Sequence, residues 1–167
     1  MNINAFEIER KFLIKYPDIN LFLSNPFCRV LKMEQTYLNG GGRIRKIEEN
    51  GKVRFIKTVK KYITDIKREE KEWEIDEQEY IKDLQDKAEG TSTIKKTRYA
   101  FPFEKVVLEI DIFPFWNDRA FLEIELECEE QKFSLPDFFE IIKEVTFDKR
   151  YNNSSLAKEI VTESIKG

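Results

Sequence analysis

FEIERKFL, residues 6–13, is the stretch whose reading decides the fold. Taken as a strand, it points Glu7, Glu9 and Lys11 to one side and Phe6, Ile8 and Phe12 to the other, with Arg10 breaking the pattern. Carboxylates two residues apart on a strand lie about 7 Å from each other. They repel unless a cation lies between them, and hard cations such as Mg²⁺ take carboxylate oxygen. One such strand could equally be a half-buried strand with a solvated charged face. Recurrence along the chain separates these readings.

The alternation does recur. Residues 43–45 (RIR) place Arg43 and Arg45 on one face, and 94–99 (IKKTRY) do the same with Lys96 and Arg98. In 106–113 (VVLEIDIF) Glu109 and Asp111 oppose Val106, Leu108, Ile110 and Ile112. In 121–127 (FLEIELE) Glu123, Glu125 and Glu127 oppose Leu122, Ile124 and Leu126. Residues 66–75 align Arg68, Glu70, Glu72 and Glu74 against Trp73 and Ile75. Residues 53–62 put Arg54, Thr58 and Lys60 on one face, but Lys57 and Lys61 fall on the apolar side and leave the inward face open.

Hairpin turns are expected at Asn39-Gly40-Gly41-Gly42 and at Asn50-Gly51. The glycine cluster lacks the GxxxxGK[ST] pattern and precedes a strand, which excludes a phosphate loop. Asp18 is placed to cap a short helix, and Asp76-x-x-Glu79 opens another with Tyr80, Ile81 and Leu84 as its stripe. The spacing predicts an amphipathic helix over 134–145, with Pro136 in its first turn and Phe138, Phe139, Ile141 and Ile142 inward. A last helix is predicted over 154–165 through Leu156, Ile160 and Val161.

The strands' apolar faces are too continuous to be exposed, and helices are available to cover them. The charged faces then look either to water on an open sheet or into a closed barrel. Purity of sign favours the barrel, because like charges on neighbouring positions cost energy unless an opposite charge or ligand sits beside them. An acidic wall suits Mg²⁺ or Mn²⁺ and a basic wall suits a polyanion. A metal–triphosphate is the simplest ligand that needs both.

The 167 residues suggest a single domain, 1–167. Charged residues make up 37%, well above the typical quarter, yet the net charge is only −3. That balance argues against a nucleic-acid partner. There is no histidine, which removes His-based acid–base catalysis, His-activated nucleophiles and His-ligated metals. Cys28 and Cys128 lack metal-ligand spacing and read as thiols of a reducing compartment. Without a signal peptide or long apolar run, the expectation is a cytoplasmic protein with no membrane partner. A homodimer is left open, as is 114–116 (PFW), either an exposed apolar contact or a barrel-end plug.

The order of these motifs resembles the CYTH superfamily, the triphosphate tunnel metalloenzymes. Glu7-Ile8-Glu9-Arg10-Lys11 is similar to the opening ExExK, and Gln35-Thr36-Tyr37-Leu38 to the second strand. Arg43-Ile44-Arg45 matches RxR, Thr58-Val59-Lys60 matches TxK, Arg68-x-Glu70-x-Glu72 matches RxExE and Lys96-Thr97-Arg98-Tyr99 matches KxRY. Glu109-Ile110-Asp111 and Glu123-Ile124-Glu125 match the late acidic strands. Residues 145–151 (VTFDKRY), with Asn153 and Leu156-Ala157, resemble the closing segment.

The resemblance implies an α+β, mainly β fold: a closed eight-stranded antiparallel barrel, the triphosphate tunnel, with helices packed outside. It implies Glu7, Glu9, Glu123 and Glu125 as ligands of Mg²⁺ or Mn²⁺. Lys11, Arg43, Arg45, Lys60, Lys96 and Arg98 would hold phosphate, with Arg54 and Arg68 as further contacts. Glu70, Glu72 and Asp111 would hold a second metal or pair with the bases. Lys11, flanked by carboxylates, is a positioning cation, and Tyr37 would help it orient water. The implied activity is hydrolysis of the terminal phosphate of inorganic or small organic triphosphate. A class IV adenylate cyclase, which needs a base pocket at a tunnel mouth, and a non-catalytic polyphosphate or nucleotide binder use the same parts.

Overall fold

The alternating segments become strands joined mostly by hairpins. A computed structural model describes residues 3–64 and 66–165. The strands are β1 (Ile3–Lys15), β2 (Arg29–Tyr37), β3 (Arg43–Glu49), β4 (Lys52–Tyr62), β5 (Lys67–Ile75), β6 (Ile94–Phe103), β7 (Val106–Ile112), β8 (Arg119–Glu125) and β9 (Ile141–Glu144). Antiparallel neighbours run β5-β4-β3-β2-β6-β7-β8-β1, and β1 pairs back onto β5 with Glu7 opposite Arg68. The result is a closed eight-stranded barrel, mainly β, with β9 as an extra strand outside it.

Closure settles which face of each strand is inside. From Glu9 opposite Glu125 and Lys11 opposite Glu123, the register continues through Glu109 opposite Glu123 and Asp111 opposite Arg98. On the other side Arg45 lies across from Gln35 and Ile56, and Thr58 across from Arg43 and Glu72. On β4 the inward face is therefore the one carrying Thr58 and Lys60. The opposite faces build the outer core. Ile8, Phe12, Ile14, Leu108, Ile110, Leu122 and Ile124 pack beneath Phe22 and Phe139.

The helices are short. Asp18 Oδ1 accepts from Asn20 N at the start of α1 (Asn20–Leu23), and Asp76 caps α2 (Glu77–Leu84) by accepting from Glu79 N. No helix among the described residues is long and apolar enough to cross a membrane.

Both predicted C-terminal helices need correction. Residues 134–140 are irregular, and 141–144 form β9 on the edge of β1. β5 covers that edge only as far as Ile8, and β9 takes over from Phe12 to Ile14. An uncovered strand edge leaves backbone donors and acceptors unpaired, and β9 satisfies them while Phe139 still reaches the core. The second helix stops after one turn, as α3 (Asn153–Leu156). Its continuation is drawn out by long-range bonds: Ala157 O accepts from Ser92 N at 2.7 Å and Val161 O accepts from Trp116 Nε1 at 2.9 Å.

Those bonds also settle the role of 114–116. Trp116 is buried with Phe113, Phe121 and Tyr151 in a cluster that includes inward-facing Leu13 and Ile94. It plugs the barrel at the end where β7 leads into β8.

The triple-glycine turn is tightest at Gly42, where φ is +85° and an added Cβ would lie 3.1 Å from Thr58 O. Gly42→Ala should destabilise the protein by about 1–2 kcal/mol. Urea denaturation checks this as a lower midpoint with an unchanged slope.

Candidate active site in the barrel lumen

The lumen holds a cavity of about 560 Å³. Glu7, Glu9 and Lys11 enter it from β1, Tyr37 from β2, Arg43 and Arg45 from β3, Thr58 and Lys60 from β4, and Arg68, Glu70 and Glu72 from β5. Arg98, Glu123 and Glu125 complete the far wall. Each side chain is inward because of the strand's two-residue period.

Three predicted site residues do not line the cavity. Arg54 is on the inward face of β4 but exposed, beyond buried Ile56 and beside Glu49. Lys96 and Asp111 share the inward face with Arg98 but are buried against each other, out of the cavity. Lys96 Nζ lies 2.7 Å from Asp111 Oδ2, and Arg98 donates to both Asp111 oxygens at 2.8 and 2.9 Å. Asp111 is thus taken up by the basic pair. Residues 152–154 also line the cavity, at the start of α3. Strand alternation carries no signal for them because they belong to no strand; only Asn153 is marked, through the closing motif.

Within the lumen, acids and bases interlock. Lys60 Nζ lies 3.0 Å from Glu7 Oε2, Arg68 donates to Glu9, and Arg45 Nη2 lies 3.1 Å from Glu72 Oε2. Lys11 Nζ sits 3.3 Å from Glu123 Oε1, donates to Tyr151 O at 3.3 Å, and lies 4.5 Å from the Phe121 ring centroid. The plug therefore fixes where the Lys11 charge is held.

Crowding raises the proton affinity of several acids. Burial, then the charges of Glu123 and Glu7, push the Glu9 carboxyl up to about 8 against the pull of Arg68 and Lys60. Burial and hydrogen bonds with Glu7 and Glu72 push Glu70 up to about 9. Burial also acts on Glu7, but there Glu70, Lys60 and Arg68 prevail and hold it well below the usual range. Glu125 is raised by burial, then by Glu7 and Glu9.

The basic wall has the opposite imbalance. Burial and the charges of Arg43 and Arg98 push Arg45 down to about 9 despite Glu72. Arg43 Nε and Arg45 Nε are buried without a hydrogen-bond partner among the described residues. Guanidinium donors short of acceptors are what an oxyanion with several oxygens would satisfy.

The carboxylates fit a hard divalent cation by chemistry. Glu7, Glu9, Glu123 and Glu125 are all-oxygen donors, and the buried crowding that raises the proton affinity of Glu9 and Glu125 would also favour a metal ion. Among the described residues no three such groups are already gathered at metal-binding geometry. Arg68 and Lys60 engage Glu9 and Glu7 instead.

Residues 5–158 match the CYTH domain. The chain belongs to the CYTH family. Among solved structures, this CYTH barrel is similar to the inorganic triphosphatase NE1496, at 28% identity over 93% of this chain and 100% of that one, with a TM-score of 0.56. It is also similar to PH1819 from Pyrococcus horikoshii OT3, at 26% identity over 75% of this chain and 80% of that one, with a TM-score of 0.58. No curated protein matches the chain significantly.

Proposed function

We propose that this CYTH barrel is a divalent-metal-dependent phosphohydrolase that removes the terminal phosphate of a triphosphate bound in its lumen. The observation that carries the reading is the pair of buried, unpartnered guanidinium donors on Arg43 and Arg45, facing a wall of crowded carboxylates across one cavity. The likeness to an inorganic triphosphatase supports it.

Phosphoryl transfer depends on positioning and charge neutralisation more than on covalent chemistry. Arg43, Arg45, Lys60 and Arg68 bind and orient the phosphate oxygens, with Arg98 at the opposite wall. Lys11, held by Glu123 and Tyr151 O, adds a fixed positive charge. The Tyr37 hydroxyl, accepting from Gln35 Nε2 at 3.3 Å, orients the attacking water. Mg²⁺ or Mn²⁺ held by Glu7, Glu9, Glu123 and Glu125 would supply further charge neutralisation.

The test is a product assay on tripolyphosphate, pyrophosphate, ATP and thiamine triphosphate with Mg²⁺, Mn²⁺ or chelator. Metal-dependent phosphate release from a triphosphate, reduced in Tyr37→Phe, is expected. Cyclic AMP from ATP would move the protein to the cyclases, and tight triphosphate binding without turnover would make it a receptor.

A further inference from the structure

Lys11 reaches the lumen with its charge held from the plugged end of the barrel. Its Nζ donates to Tyr151 O at 3.3 Å, lies 3.3 Å from Glu123 Oε1 and sits 4.5 Å from the Phe121 ring centroid. Glu123 is one of the acids assigned to the cation in the proposed reaction, which leaves Tyr151 O as the acceptor with no second role. That carbonyl belongs to the 3₁₀ turn Lys149–Tyr151, and the turn is gripped from outside the barrel. Glu163 Oε1 accepts from Tyr151 Oη at 2.6 Å and from Lys143 Nζ at 2.8 Å, and its Oε2 accepts from Arg150 Nη1 at 3.2 Å. The first of these has the length of a hydrogen bond to a charged acceptor. Lys143 Nζ and the Arg150 guanidinium carbon lie 5.4 and 5.6 Å from the Tyr151 ring centroid. One carboxylate thus ties together the hydroxyl of the ring and the cations packed against it.

Glu163 is brought there by the chain that follows α3. Ser92 N donates to Ala157 O at 2.7 Å and Trp116 Nε1 to Val161 O at 2.9 Å, and Trp116 in turn packs on Phe121 with ring centroids 5.2 Å apart. Glu163 lies beyond residues 5–158, which match the CYTH domain. We propose that Glu163 is a positioning residue of this barrel: it pins the 149–151 turn, and through the Tyr151 carbonyl it sets where the Lys11 ammonium sits in the lumen. The inference rests on the reading of the lumen as a phosphohydrolase site and adds to it a residue outside the cavity. An exposed ion pair does little for stability, so the consequence is read at Lys11 and not in the fold. Displacing a group at a reacting centre by about 1 Å costs up to about a hundredfold in rate.

The experiment compares wild type with Glu163→Ala, Glu163→Gln and Tyr151→Phe, each also combined with Lys11→Gln. Phosphate release from tripolyphosphate and from ATP with Mg²⁺ gives kcat and KM. Nitrogen NMR of isotopically labelled lysine follows the Lys11 ammonium, whose signal is assigned by its loss in Lys11→Gln. Glu163→Ala should lower kcat by about tenfold with KM within about twofold, and it should shift the Lys11 signal. Glu163→Gln, which keeps an acceptor for Tyr151 Oη, should retain most of the activity. Tyr151→Phe removes only the hydroxyl and should repeat the loss, which keeps the test intact if Glu163→Ala does not fold. In the Lys11→Gln background neither substitution should cost anything further. The thermal midpoint should move by no more than about 2 °C. An unshifted Lys11 signal in Glu163→Ala and Tyr151→Phe would overturn the proposal, as would an equal loss of kcat with and without Lys11. If wild type turns over no triphosphate, the phosphohydrolase reading falls by itself, and the Lys11 signal still decides whether Glu163 sets the ammonium.

Discussion

Glu9→Gln should lower phosphate release from a triphosphate by about a hundredfold or more while leaving the barrel folded. Glu9 enters the lumen from β1 directly opposite Glu125. Its carboxyl is pushed up to about 8, first by burial and then by Glu123 and Glu7. A site that crowds carboxylates this way gains from a cation, and the amide removes one of the charges that would hold it. The substitution keeps the side chain's volume, and its amide oxygen can still accept from Arg68. Arg68 also keeps Glu7, 3.5 Å from its Nε. The thermal midpoint should therefore stay within a few degrees of wild type. Activity falling together with the midpoint would show that Glu9 is chiefly a structural partner of Arg68. Unchanged activity would remove Glu9 from the metal set.

Asp111→Ala should do the reverse and act first on stability. Asp111 is fully buried and anchors Lys96 and Arg98 through the bonds of 2.7 to 2.9 Å. Truncating one partner of a buried ion pair leaves the others uncompensated and costs about 3–5 kcal/mol. For a chain of this size the melting temperature should drop by about 10 °C. Activity should then suffer through Arg98, which also pairs with Glu109 and Glu123.

The pH dependence carries a sign that can be checked. Burial raises the Asp111 carboxyl, but Arg98 and Lys96 outweigh it and hold it far below the ordinary aspartate value of 3.8. The folded state therefore binds this proton less readily than the unfolded state does. The stabilisation is present above about pH 4 and is lost as pH falls below 3.8. Melting curves of wild type and Asp111→Asn should converge on acidification. A constant gap between them down to pH 3 would show that Asp111 contributes through packing and not through its charge.

Much of the site is legible in the chain itself, because strand alternation is a local property. The two-residue period places Glu7, Glu9 and Lys11 on one face whatever the strand's neighbours are. The same holds for Arg43 with Arg45 and for Glu123 with Glu125. Turn chemistry is equally local. Asn50 and Gly51 both take positive φ, and Gly40 to Gly42 do so as well. The signs of the charges on these faces then point to a lumen.

Other features depend on which strands meet, and at what offset. Lys60 and Arg54 share the inward face of β4, but the register puts Lys60 beside Glu7 and leaves Arg54 exposed past Ile56. Lys96 and Asp111 carry the same alternation signal as Arg98, yet closure buries them against each other inside the barrel, out of the cavity. The 134–145 pattern is satisfied by any arrangement that buries Phe139, and the uncovered edge of β1 selected a strand. The plug of Trp116 and Tyr151, which sets the position of Lys11, brings together segments far apart in the chain. Which side chains face the same way is written in the chain, because facing follows from the pleat of one strand. Which of them meet is set by the assembled barrel, because meeting follows from the closure of eight.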